Sequence, residues 1–218
     1  MLRHAVGKNA TNHASDVKVI QTLLNTTHRN SSKKLLTVDG LYGNNTARAI
    51  EGFQSRFMRK PDGVISPYKN TIKRLCPTIY SNPTGKGIRR MDPYGSGEYG
   101  ASRGRRTHDG VDYSAQAEQN VVAPISGRVL RISWPYASGI DANVLEGVEI
   151  EASDGTRCWV WYIKPSVNII NQVVKAGVSV IGRAKTLSNR YSKNITDHVH
   201  VRMQTRFGSS VNPSTVIK

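Results

Sequence analysis

A helical N-terminal part followed by an antiparallel β domain is the architecture this sequence predicts, and three observations carry it. Apolar residues in the first eighty positions recur at helical spacing. The stretch "CPTIYSNPTGKG", residues 76–87, then breaks the pattern with Pro, Gly, Ser and Thr. Beyond it, short β-forming runs alternate with turn residues. The expected division is a helical domain at 1–77, a linker at 78–87 and a β domain at 88–218.

In "SDVKVIQTLLN" the residues Val17, Ile20, Leu23 and Leu24 fall on one helical face, and Ser15-Asp16 is the expected N-cap pair. A polar loop, "THRNSSKK", should follow. In "LTVDGLYGNNTARAIEGFQSRF", Asp39-Gly40 marks a tight turn, and Asn45 or Thr46 caps a second helix with Ala49, Ile50, Phe53 and Phe57 on its apolar face. The block "PDGVISPYKNTIKRL" echoes this one and predicts a third helix ending near Leu75. In the second part, "NVVAPISGRVLRIS", "VLEGVEIEAS", "TRCWVWYIK", "VSVIGRA" and "DHVHVRMQ" read as strands, and "INQVVKAGVSVIG" as a turn with one more.

Thirty-one Lys and Arg against fifteen Asp and Glu give a net charge of +16, spread over both parts. Such a field favours polyanions, yet no helix-turn-helix, finger or RNA-binding signature accompanies it, so no specific nucleic acid is expected. No apolar run approaches the roughly 20 residues of a membrane span. The opening "MLRHAVGKNATNHASD" has no apolar leader core, so the expectation is a protein that is either cytoplasmic or leaves its cell by a route other than a cleaved leader. Cys76 and Cys158 lack metal or redox spacing and read as inert packing residues.

Of six histidines, three lie in the helical part: His4, His13 and His28. The other three form two short constellations. His108 stands in "THDGVDYS", four residues before Asp112. His198 and His200 stand in "TDHVHVRM", where a strand would point both imidazoles at one face and Val199 and Val201 at the other. Zinc catalysis needs a few neutral imidazole or carboxylate ligands and one open position. His108, Asp112 and one of the two late histidines would supply them, leaving the other as a base or hydrogen-bond donor.

The order "HDGVDYSA", "VVAPISGRVLRI", a DG hairpin, "VWYIK", "VVKAGVSVIG" and "HVH" resembles the lysostaphin-type zinc endopeptidases, the M23 family, over about residues 87–205. That resemblance implies Zn²⁺ bound by His108, Asp112 and His200, with His198 catalytic. The N-terminal part is similar to the three-helix peptidoglycan-binding domain 1, through Asp39, Gly40, Gly43, Thr46, Ala49, Phe53 and Gln54. One position departs from the peptidase pattern: where YxH is usual, this chain has Tyr162-Ile163-Lys164. Strand alternation keeps Lys164 on the face of Tyr162, where its charge would stabilise an oxyanion; Tyr162 or Tyr113 would serve as hydrogen-bond donor instead. The alternative is a solvated Lys164 and a protein that binds the wall without cutting it. Trp134, Trp159, Trp161 and Tyr162 line the groove or fill the core.

Together these resemblances imply a monomeric peptidoglycan endopeptidase. The expected setting is a bacteriophage endolysin; a virion-associated lysin also fits, whereas a bacterial wall-remodelling enzyme would normally show a signal peptide. Its partners would be peptidoglycan and the anionic wall polymers or outer membrane around it, with a Gram-negative target favoured by analogy.

Overall fold

The computed structural model describes residues 1–27, 35–136, 145–191 and 194–218, and divides at Thr78/Ile79 into two compact units. The polar loop expected after the first helix, apart from Thr27, lies outside the described residues, as does His28. In the first unit, α1 (Ala14–Thr26) buries Val17, Val19, Ile20, Leu23 and Leu24. His13 is its N-cap and no side chain caps it, so Ser15 and Asp16 sit inside the first turn instead of capping. Asp16 is used otherwise: its carboxylate accepts the backbone N–H groups of Arg3 (3.2 Å) and His4 (3.0 Å), tying down the N-terminal arm. That arm supplies β1 (Val6–Gly7), which pairs antiparallel with β2 (Val64–Ile65).

The second helix, α2 (Asn44–Gln54), starts after Gly43, and neither Asn45 nor Thr46 caps it. Ile50 and Phe53 are buried, whereas Ala49 and Phe57 are only half-buried. The third, α3 (Asn70–Leu75), has six residues. With this short helix and the β1–β2 ribbon, the unit is mixed where a regular three-helix bundle was expected.

The echo between the two Asp-Gly blocks has a physical basis. Gln21 Nε2 donates to Asp39 Oδ1 (2.8 Å) and Leu41 O (3.2 Å), while its Oε1 accepts from Gly40 N (3.0 Å). Gln54 repeats this, donating to Asp62 Oδ1 (2.6 Å) and Val64 O (3.0 Å) and accepting from Gly63 N (2.9 Å). Thr46 and Thr71 are the corresponding hydroxyls beside each amide. Gly40 (φ 83°) and Gly63 (φ 68°) are left-handed, which is why glycine follows the aspartate in both turns.

The second unit is an antiparallel sheet of nine described strands. They are β3 (Gly110–Ser114), β4 (Asn120–Val122), β5 (Gly127–Ser133), β6 (Glu146–Glu151) and β7 (Arg157–Pro165), then β8 (Val173–Val174), β9 (Val180–Ala184), β10 (His198–Gln204) and β11 (Ser210–Val211). The main order is β11-β10-β7-β6-β5-β8, with β3 also on β10, and β9 joining β4 to β7. Residues 79–87, expected as linker, are held within this unit. Tyr80 bridges Ile125, Ser81 N donates to Pro124 O (3.0 Å) and Ser114 N to Gly87 O (3.0 Å). Polar turn residues marked a break in periodicity here, not a free tether.

Alternation sorts the sheet's two faces. Val111 and Tyr113 of β3, Cys158 and Val160 of β7, and Val199, Val201 and Met203 of β10 enter one apolar core. Asp112, Trp161, His198 and His200 are left on the opposite face. Register places His200 across from Asp112 on β3 and from Trp161 on β7. No helix among the described residues is long and apolar enough to cross a membrane.

Candidate metal centre

Three donor atoms from two neighbouring strands and the turn before them meet on this face. His200 Nδ1 lies 2.9 Å from Asp112 Oδ1 and 3.1 Å from His108 Nε2, and His108 Nε2 lies 3.2 Å from Asp112 Oδ1. Ligands at about 2.05 Å from a tetrahedral zinc sit about 3.3 Å apart, so the triangle has the size of one face of such a site. His108 Nδ1 is 2.8 Å from Glu98 O, a group that can only accept, so Nδ1 carries the proton and Nε2 presents its lone pair. Asp112 Oδ1 is an acceptor too. Two acceptors 3.2 Å apart repel unless a cation sits between them, and the donor chemistry therefore fits a divalent metal.

His200 fits the same reading. Its Nε2 is buried without a hydrogen-bond partner, and Asp109 Oδ1 is 3.8 Å away. A proton on Nε2 would face that carboxylate and free Nδ1 to ligate. Beneath the ring lies Gly110, where an added Cβ would stand 2.5 Å from His200 Nε2 and 2.4 Å from Val201 O. Gly110→Ala is expected to push the imidazole off its position, weakening zinc binding by about tenfold or more in a competitive titration.

The outer oxygen of Asp112 is spoken for. Arg89, 2% exposed, reaches Asp112 Oδ2 with Nη2 at 3.0 Å and pairs with Asp92 through Nη1 at 2.6 Å. Asp92 in turn accepts the Thr196 N–H (3.1 Å), fixing the approach to β10. Burial alone would raise the Asp112 carboxyl, but the imidazoles of His108, His200 and His198 packed around it hold it well below the usual carboxylate range. The chain thus presents one ionised oxygen to the centre and anchors the other.

His198 stands beside the triangle, its Nε2 3.6 Å from Asp112 Oδ2. Its Nδ1 donates to Thr196 O (2.7 Å), so Nε2 holds the lone pair. Burial lowers its affinity for a proton, partly opposed by Asp112, which keeps the ring neutral near pH 7. Tyr162 packs edge-on against His198 with centroids 5.2 Å apart. Its hydroxyl is 3.3 Å from that of Tyr136, which also bonds Tyr191. Burial above all raises Tyr162 well above the ordinary phenol value, so it stays a donor.

Two expected groups fall elsewhere. Tyr162 has φ 68° and occupies a bulge opposite the Glu146/Gly147 step, which brings Trp161 and Tyr162 to the cleft in succession. Lys164 lies beyond that bulge, paired with Arg183 on β9, exposed and outside the cleft lining. Alternation holds, since Ile163 enters the core between Tyr162 and Lys164, but pairing with β9 carries Lys164 past the end of the cleft. Tyr113, on the core face of β3, is likewise remote from the cleft. Trp161 lines the cleft, stacks on His200 and donates from Nε1 to Ser133 Oγ (3.0 Å). Trp159 is buried under Arg202, and Trp134 is exposed. Both cysteines are buried free thiols, with Cys76 pushed up to about 11 by burial and Cys158 higher still, as inert groups should be.

The cleft encloses about 490 Å³ and its lining includes Arg89, Tyr94, Tyr136 and Tyr191, none of which the sequence singled out. Each comes from a loop whose position no local spacing reveals.

Both units resemble known proteins. Residues 13–75 match the family model PG_binding_1, a peptidoglycan binding domain. The chain is 31% identical over 127 residues to leukocyte cell-derived chemotaxin-2 of Mus musculus, covering 58% of this chain and 77% of that one. Among solved structures it is similar to Csd3 of Helicobacter pylori, at 22% identity and a TM-score of 0.45, covering 64% of this chain and 35% of that one. Lysostaphin of Staphylococcus simulans is similar at 21% identity and a TM-score of 0.43, with 62% and 52% covered.

Proposed function

Because this chain belongs to the M23 peptidase family and carries a peptidoglycan-binding domain, we propose that it is a zinc-dependent endopeptidase cleaving the peptide stems or cross-links of peptidoglycan. The observation that carries the reading is the 2.9–3.2 Å triangle of His108 Nε2, Asp112 Oδ1 and His200 Nδ1 at the floor of a cleft. A bound Zn²⁺ would supply Lewis acidity there, polarising a carbonyl and acidifying water. His198 Nε2, neutral and beside the triangle, accepts a proton from the attacking water and returns it to the leaving amine. The Tyr162 hydroxyl donates to the developing oxyanion, a part not open to Lys164, which lies outside the cleft lining. Trp161 holds the His200 ring by stacking. The N-terminal unit raises the local concentration of wall substrate.

The test is release of muropeptides from purified peptidoglycan, with and without chelator. Chelation should stop release and zinc restore it, and His198→Ala should lower kcat by about 100-fold or more while leaving zinc stoichiometry intact. Undiminished release under chelation contradicts the reading. A non-catalytic wall-binding role is the second reading. It draws on the exposed Lys164 at the usual histidine position and on a relative named as a chemotaxin. It predicts sedimentation with peptidoglycan and no released fragments.

We further place the protein among bacteriophage endolysins, held in the host cytoplasm until lysis. A wall-binding domain and a peptidase domain in one chain support this, as does a charge of +16 suited to anionic wall polymers or an outer membrane. Cytoplasmic expression should be harmless until the inner membrane is permeabilised; lysis without permeabilisation counts against it.

A further inference from the structure

The cleft holds more positive charge than its own carboxylates neutralise. Arg89 is committed to Asp92 and Asp112, and Arg202 to Asp109 through a 3.1 Å Nε contact. Two further arginines reach the cleft from one hairpin, closed by the Ser102–Thr107 bridge and the Arg103 N–Arg106 O bond (2.9 Å). The Arg103 guanidinium is built in: it donates to Ser96 O (2.6 Å) and Ser102 O (3.1 Å), and lies so close to Gly95 that a Cβ there would stand 2.7 Å from Nη1. Its nearest carboxylate oxygen is Asp112 Oδ2 at 3.7 Å, which Arg89 already holds at 3.0 Å. Arg106 is exposed at the rim, and among the described residues no carboxylate lies within ion-pair distance of it.

One guanidinium held by the hairpin and one exposed at its rim, both lining the cleft of the candidate centre, suit a planar anion. We infer that Arg103 and Arg106 bind a free carboxylate on the residue flanking the scissile amide, so that the cleft selects anionic stem peptides over uncharged bridges. This rests on the hydrolase reading for where the amide lies. A solvated hairpin would show no such selection.

The test uses the full chain loaded with zinc and a pair of cross-linked stem peptides, identical except that the flanking diamino acid's carboxylate is free in one and amidated in the other. The scissile amide is N-methylated, so equilibrium binding is read without turnover. Amidation should weaken binding to the natural protein by about tenfold, the size of one charge-assisted contact. In Arg106→Gln the penalty should shrink to about twofold, and raised salt should shrink it likewise. Equal binding of the two peptides, or a penalty unchanged in both Arg106→Gln and Arg103→Lys, overturns the inference. Selective binding by a chain that releases no muropeptides would uphold the carboxylate site and sink the hydrolase reading, so the two failures are distinct.

Discussion

Replacing Asp112 with alanine should cost the β unit about 3–5 kcal/mol and abolish zinc binding together, because one carboxylate serves both purposes. Its Oδ2 neutralises Arg89, 2% exposed, and its Oδ1 completes the donor triangle. Asp112→Asn separates the roles: the amide oxygen still accepts from Arg89, so part of the stability returns while zinc binding stays weak. Denaturant melts followed by tryptophan fluorescence check the first effect, since Trp134, Trp159 and Trp161 all lie in this unit. The sign of the pH dependence follows from the depressed carboxyl. Its stabilisation is complete above the unfolded value of about 3.9 and is lost as pH falls through the lower folded value.

Gln54→Ala should destabilise the N-terminal unit by about 3 kcal/mol, since it strands the buried Gly63 N–H and removes the amide's bonds to Asp62 Oδ1 and Val64 O. For a unit of this size the helical signal at 222 nm should melt more than about 10 °C lower. Sedimentation with peptidoglycan should weaken at temperatures where the turn has opened. An unchanged midpoint would mean that the repeated Gln–Asp-Gly clasp contributes little.

What was legible in the sequence is what local spacing encodes. Strand parity alone put His198 and His200 on one face and Val199 and Val201 in the core. It said nothing of Arg89, whose link to Asp112 spans 23 positions and depends on a loop. Parity gave the face of Lys164 but not its distance along the strand, where it pairs with Arg183 of β9 beyond the cleft; nor did it reveal the bulge at Tyr162, for which Gly147 leaves room: a Cβ there would lie 1.8 Å from Val160 O. Capping was misread at Ser15-Asp16 because the aspartate's better partners, the N–H groups of Arg3 and His4, belong to a segment with no helical signal. The linker was misread because turn-forming residues also edge a sheet: Tyr80 bridges Ile125.

Crystals grown with zinc and measured on both sides of its absorption edge address the central claim most directly. One anomalous peak per chain is expected, bonded to His108 Nε2, Asp112 Oδ1 and His200 Nδ1, and absent from His200→Ala crystals. A peak held by other residues, or none at full zinc loading, would contradict the account.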